Sequence, residues 1–179
     1  LFLVAHFHNM IIGGVLFGVF AGFTYWFPKF AGFYLHEKLG VYAFWCWLIG
    51  FLLAFMPLYI LGFMGAVRRL DGYDASLGWQ GLFIVAGVGV LIILLGVLFQ
   101  ILQVGYSIWK RKELVAGPDP WGGRTLEWST STPIPEYNFA ELSPVEQRDE
   151  HWEMKQAGHT NKVKASYEAI TLPKNTGFG

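Results

Sequence analysis

Three long apolar runs constrain this chain more than anything else in it. They cover residues 1–27, 41–65 and 81–109. Each exceeds the ~20 helical residues needed to cross a bilayer. Hydrocarbon offers no water to backbone N–H and C=O groups, so such runs fold as helices that bond internally. Aromatic residues border them: Tyr25 and Trp26, Trp45 and Trp47, Trp79, then Tyr106 and Trp109. Belts of this kind suit the water–lipid interface. The expected fold class is an all-α membrane protein, with three transmembrane helices of a larger helical bundle. A polar, mostly irregular tail, residues 110–179, follows the membrane region, 1–109.

Composition supports two regions in two solvents. The chain is 54% hydrophobic and 15% charged, too apolar for an ordinary soluble domain, and most charges follow Trp109. Net charge is zero, so nothing points to nucleic acid. Cys46 is the single cysteine and cannot form an internal disulfide; in "AFWCWLIG" it reads as a packing residue. Residue 1 is Leu inside an apolar run with no charged region before it, which is not a signal peptide. The expectation is a piece of a longer polypeptide.

Within the runs, Gly14, Gly18 and Gly22 lie four apart on one helical face. They read either as a seam for close helix approach or as ordinary small membrane residues. Pro57 is expected to kink the second helix. Lys110, Arg111 and Lys112 end the third run, and the positive-inside rule places that end in the cytoplasm. The loop 28–40, with Lys29 and Lys38, is then cytoplasmic too. Arg68 and Arg69 fall on the outer side, against the rule, and a fixed anion there would explain them. The tail segments "AGPDPWGG" and "STSTPIPEYN" are turn-rich. "SPVEQRDEHWEMKQAG" reads as a short helix with Ser143 as N-cap and Glu146 three residues on. His36, His151 and His159 read as loop or surface residues.

His6 and His8 sit in "LFLVAHFHNMIIGG", and ionisable residues inside a span are costly and usually functional. Residues two apart on a helix point about 200° from each other. The pair therefore suits two partners on opposite sides, not one shared ion. An imidazole can be an axial haem ligand. Two buried histidines satisfied by nearby hydrogen bonds are the plain alternative. The haem reading asks for cations to meet anionic propionates. The second helix returns Arg68 and Arg69 to the side where His6 and His8 lie.

"LFLVAHFHNMIIGG", "FAGFTYWFPK", "FMPLYILGFMGAVRRL" and "DPWGGRTLEWSTSTPIPEYNF" together resemble subunit I of the haem-copper respiratory oxidases. The resemblance covers nearly the whole chain and implies helices ten to twelve of a twelve-helix core, then the cytoplasmic tail. It implies that His6 is the proximal ligand of a high-spin haem (O or A), where oxygen binds. It implies that His8 is an axial ligand of a low-spin haem (B or A), with Phe7 between the two. Arg68 and Arg69 match the pair that contacts haem propionates. The copper, its three histidines, the second low-spin ligand and the main proton-channel residues would lie in the upstream part of the subunit. The implied partners are that upstream part, subunits II and III, ubiquinol, O2 and the lipid bilayer of a bacterial inner membrane.

Asn9 in "HFHN", where cytochrome c oxidases usually have Tyr, is similar to the quinol branch of cytochrome bo type. So is Val67, where the cytochrome c branch usually has Pro before the arginine pair. The implied activity is a proton-pumping quinol oxidase reducing O2 to water. A cytochrome c oxidase and a di-haem electron carrier without oxygen chemistry are the alternatives; a proton-relaying transporter is a third.

Overall fold

The computed structural model describes residues 1–136, 138–139, 145 and 148–158. Among the described residues three helices are long and apolar enough to cross a membrane: α1, Phe2–Ala31; α2, Glu37–Phe63; and α3, Gln80–Trp109. Among the described residues the regular structure is otherwise 3-10 turns at Ala75–Leu77 and Leu126–Ser129, a short helix α4, Glu150–Gln156, and one isolated antiparallel bridge between Phe33 and Val115. The chain packs as two compact units. One comprises Leu1–Phe27 and Tyr34–Leu114, the other Pro28–Phe33 and Val115–Gly179.

In the first unit α2 and α3 form the main packed pair. Their seam runs through small residues: an added Cβ on Gly50 would lie 2.7 Å from Ile93 N and 2.8 Å from Gly89 O. One on Gly89 would lie 2.7 Å from Ala54 Cα, and one on Gly96 3.1 Å from Trp47 N. Gly14 and Gly18 meet no neighbour within 4 Å among the described residues, and an added Cβ on Gly22 would meet only the ring of Trp26 on its own helix. Of the two readings of Gly14, Gly18 and Gly22, the described residues show no close helix approach at these positions. Along its middle α1 meets α2 through large rings, Phe17 on Phe51 at 6.0 Å and Phe20 on Trp47 at 5.2 Å.

A polar strip closes one end of the α2–α3 pair. Trp47 Nε1 donates to Gln100 Oε1 at 3.2 Å. The His36 N–H donates to Ser107 Oγ at 2.8 Å, Ser107 Oγ–H to Gln103 O at 2.6 Å, and Gln103 Nε2 to His36 O at 3.3 Å. Buried Ser107 and Gln103 therefore have partners, as burial of polar groups requires. His36 is the N-cap of α2: its Nδ1 accepts the Leu39 N–H at 3.4 Å, and Glu37 occupies the first turn. An acid there suits the positive end of the helix dipole. This cap starts α2 at Glu37 rather than near Val41. α1 likewise continues to Ala31, so the expected 28–40 loop shrinks at both ends. α2 runs on through Pro57, which is buried in it.

The second unit is organised around Lys29, which is 1% exposed. Its Nζ donates to Thr130 O at 2.6 Å and Pro118 O at 3.0 Å, and stands 5.8 Å from the centre of the Trp128 ring. Lys29 is expected in a loop; it lies instead within α1, buried between two carbonyls and an indole. Gly32, at φ 82, ends α1 with its N–H on Pro28 O, and the Ala116 N–H donates back to Gly32 O at 3.0 Å. Asp119 accepts the Gly123 N–H at 2.7 Å and the Lys155 ammonium. Arg124 pairs with Asp149 at 2.6 Å. The short tail helix is present as α4, beginning at Glu150; Ser143, Glu146 and His159 lie outside the described residues. His151 is half-buried, and its Nε2 is fully buried with no partner among the described residues, so it is not an ordinary surface residue.

Candidate functional site

His6 and His8 lie on the first α-helical turns of α1, Phe2–His8. Asn9–Leu16 is then wound as a wider π-helix before α-geometry resumes at Phe17. Segments of π-helix are rare and often fall at functional sites. The two histidines precede it, so the opposed directions argued from α-geometry hold. His8 is half-buried against α2, its ring stacked on Phe55 at 4.7 Å and 18°. His6 is exposed, and Phe7 is 56% exposed. The two imidazoles thus lie in different surroundings on one short helix.

His8 Nδ1 is 2.7 Å from Val4 O, one turn back. A carbonyl can only accept, so Nδ1 is the donor, and in the neutral imidazole the lone pair then falls on Nε2. This is how proteins commonly prepare a histidine for an iron or zinc. Stacking on Phe55 covers a ring face and leaves the in-plane nitrogen available. Asn9 Nδ2 donates to Ala5 O at 2.9 Å in the same back-bonded manner. On these grounds His8 fits an axial haem ligand, and His6, exposed on another side of the helix, has room for a group of its own. Among the described residues no group of three or more His, Cys, Asp or Glu could hold a metal ion together.

The arginine pair is brought to the end of the bundle that holds the histidines. Phe2 packs edge-on to Tyr59 at 5.1 Å and Phe63 at 5.0 Å. An added Cβ on Gly62 would lie 2.6 Å from Phe2 Cα. α2 then ends in a Schellman turn: the Ala66 N–H reaches Leu61 O at 2.9 Å, the Gly65 N–H reaches Gly62 O at 3.1 Å, and Gly65 has φ 90. A side chain at that φ is strained, so glycine sets the direction in which the chain leaves. Arg68 and Arg69 follow, both exposed and without an ion pair among the described residues. Arg69 itself has φ 65, a costly conformation for a non-glycine residue. Tyr73 holds the loop, with its hydroxyl donating to Val67 O at 2.5 Å and its ring stacked on Phe83 at 4.9 Å. The sequence singles out both arginines and both histidines as candidates. It missed Gly65 and Tyr73, for which "MGAVRR" and the aromatic before "GWQG" were the only signals.

An all-helical membrane protein with an imidazole on each side of one span, and paired cations at the same end, is the class these features define. The chain belongs to the family of cytochrome c and quinol oxidase polypeptide I, subunit I of the haem-copper respiratory oxidases, whose family model matches residues 1–111. It is 53% identical over its whole length to "Cytochrome bo(3) ubiquinol oxidase subunit 1" of Buchnera aphidicola subsp. Baizongia pistaciae, covering 27% of that protein. It is 50% identical over its whole length to "Ubiquinol oxidase subunit 1" of Acetobacter aceti, covering 27%. It is 48% identical over 99% of its length to "Probable cytochrome c oxidase subunit 1" of Bradyrhizobium diazoefficiens, covering 28%. The chain thus spans about a quarter of the length of these relatives.

Proposed function

We propose that this chain is the part of a quinol-oxidising, proton-pumping terminal oxidase that gives one axial histidine to each of two haems. The observation that carries this reading is the pair of opposed imidazoles, with His8 Nδ1 pinned to Val4 O. Histidines pointing to opposite sides of a helix cannot serve one iron, so each serves its own. His8 takes the low-spin haem and His6 the high-spin haem. When bound, the haems and copper supply electron transfer and the reduction of O2 to water. The chain's residues hold and orient these groups. Val4 O fixes the His8 tautomer, Phe7 fills the space between the two sites, and Arg68 and Arg69 neutralise propionates. The copper ligands come from the upstream part of the subunit.

Asn9 and Val67 favour ubiquinol as donor, and the relatives from Buchnera and Acetobacter carry that word in their names. The Bradyrhizobium relative favours the second reading, cytochrome c as donor within the same family. The test uses the complete oxidase. His8→Ala is expected to abolish the low-spin haem spectrum while the carbon monoxide-binding haem persists. His6→Ala is expected to do the reverse. An unchanged low-spin spectrum in assembled His8→Ala enzyme would falsify the ligand assignment. Oxygen uptake with ubiquinol but not with reduced cytochrome c is the expected donor result; the opposite pattern overturns the donor and leaves the histidines standing.

A further inference from the structure

We propose that the C-terminal end of α3 binds an anionic phospholipid, with Arg111 and Lys112 holding its headgroup. α3 ends in an open cavity of about 460 Å3 lined by Ile108 to Glu113. Its three cations are not equivalent. Lys110 is already compensated: its Nζ is 2.6 Å from Glu113 Oε1 and 5.3 Å from the centre of the Trp109 ring. Arg111 and Lys112 are exposed and make no ion pair among the described residues.

A helix C-terminus ordinarily repels an anion, because its last carbonyls are unpaired. Here the chain turns back on them. Tyr106 O accepts the Lys110 N–H at 2.9 Å, Ile108 O the Arg111 N–H at 3.4 Å, and Lys110 O the Glu113 N–H at 2.8 Å. The two free cations therefore dominate the local charge.

The apolar surface below them selects a lipid over a soluble anion. Leu98, Ile101 and Ile108 are 49%, 64% and 50% exposed and fall on one face of α3, with exposed Gly105 notching the same face. From Leu98 to Ile108 the helix rises ~15 Å, at ~1.5 Å per residue. That is half of the ~30 Å hydrocarbon core, one leaflet. Trp109, 76% exposed, marks the interface between stripe and cations. A phosphate bearing acyl chains fits cations above and an apolar stripe beneath; a free phosphate uses only the first.

The test measures lipid retained by the complete membrane complex that contains this chain, using spin-labelled phosphatidylglycerol and phosphatidylcholine. Wild-type complex is expected to immobilise phosphatidylglycerol in preference, and to lose that preference at high salt. Arg111→Gln is expected to weaken it about fivefold, and Arg111→Gln with Lys112→Gln further, as ~1 kcal/mol per surface cation converts. Phosphatidylcholine retention is expected to stay level. Equal retention of both lipids by wild type overturns the proposal even if the variants fail to assemble. Undiminished preference in the assembled double variant overturns it too. Displacement of the label by inorganic phosphate as readily as by phosphatidylglycerol assigns the cations to a free anion instead. A crosslink from Arg111 to an acidic segment of another subunit assigns them to a protein. None of these readouts depends on the haem assignments.

Discussion

Single backbone angles decide where the charged groups of the site lie. Gly65 at φ 90 ends α2, and Arg69 at φ 65 turns the loop that follows. Gly65→Ala is expected to cost about 1 kcal/mol or more, since alanine is strained at positive φ. Hydrogen exchange across residues 62–73 of the complete oxidase would read it, and an unchanged profile would mean that the turn is not held by glycine. Arg69 allows a separation of charge from strain. Arg69→Gly and Arg69→Ala both remove the guanidinium, but only alanine keeps the backbone penalty. If Arg69 meets a propionate, both variants are expected to lower the haem midpoint potentials equally, because a positive neighbour favours the more reduced site. Only Arg69→Ala is then expected to lose thermal stability relative to Arg69→Gly. A potential that moves in neither variant removes the propionate role. The histidines and arginines were legible because charge inside or beside an apolar run stands out from its neighbours. The Val4 contact of His8 and the φ of Arg69 were not, because neither changes residue type or spacing.

At the scale of elements, glycine patterns were legible but their use was not. Three glycines in α1 shared a face, yet the tight approach is made by Gly50, Gly89 and Gly96. A periodic face states what a helix offers; the partner's side chains decide whether it is taken. Gly89→Leu puts its side chain against the Ala54 backbone, which cannot move aside as a flexible side chain can. The cost is expected to exceed the ~1–3 kcal/mol typical of overpacking, seen as loss of assembled oxidase in detergent. Lys29→Met tests the second unit. It leaves the buried Thr130 O without its donor, at about 1–3 kcal/mol, while the more exposed Pro118 O can turn to water. Faster proteolysis or hydrogen exchange of residues 115–136 is the expected signature, and Lys29→Arg should restore part of the protection.

Over the whole molecule the charges of the second unit give it a pH dependence. Burial alone would raise the Asp119 carboxyl, but the Lys155 and Gly123 hydrogen bonds outweigh it and hold the group below its ordinary value. Burial, then Lys155 and Lys29, push His151 below its ordinary value against the pull of Asp119 and Glu127. Both groups bind protons more tightly when unfolded, so folding stability is full at neutral pH and falls on acidification. The His151 part begins to fade near the ordinary histidine value of ~6.5, and the Asp119 part near the ordinary aspartate value of ~3.9. Hydrogen-exchange protection of residues 148–158 in the intact oxidase, corrected for the intrinsic slowing of exchange in acid, should fall between neutral pH and about pH 5.5, and His151→Gln should flatten that response. The amino-acid sequence by itself determined three membrane helices, their order, the opposed histidines and the arginine pair at the same end. These follow from hydropathy and helical period, which are properties of residues a few positions apart. Tertiary structure decided which glycines touch, that Lys29 is buried, and how α2 begins. Those contacts join residues 101 apart in Lys29–Thr130, 71 in His36–Ser107 and 53 in Trp47–Gln100. No local pattern records such a partner, because the pairing exists only once the helices have packed.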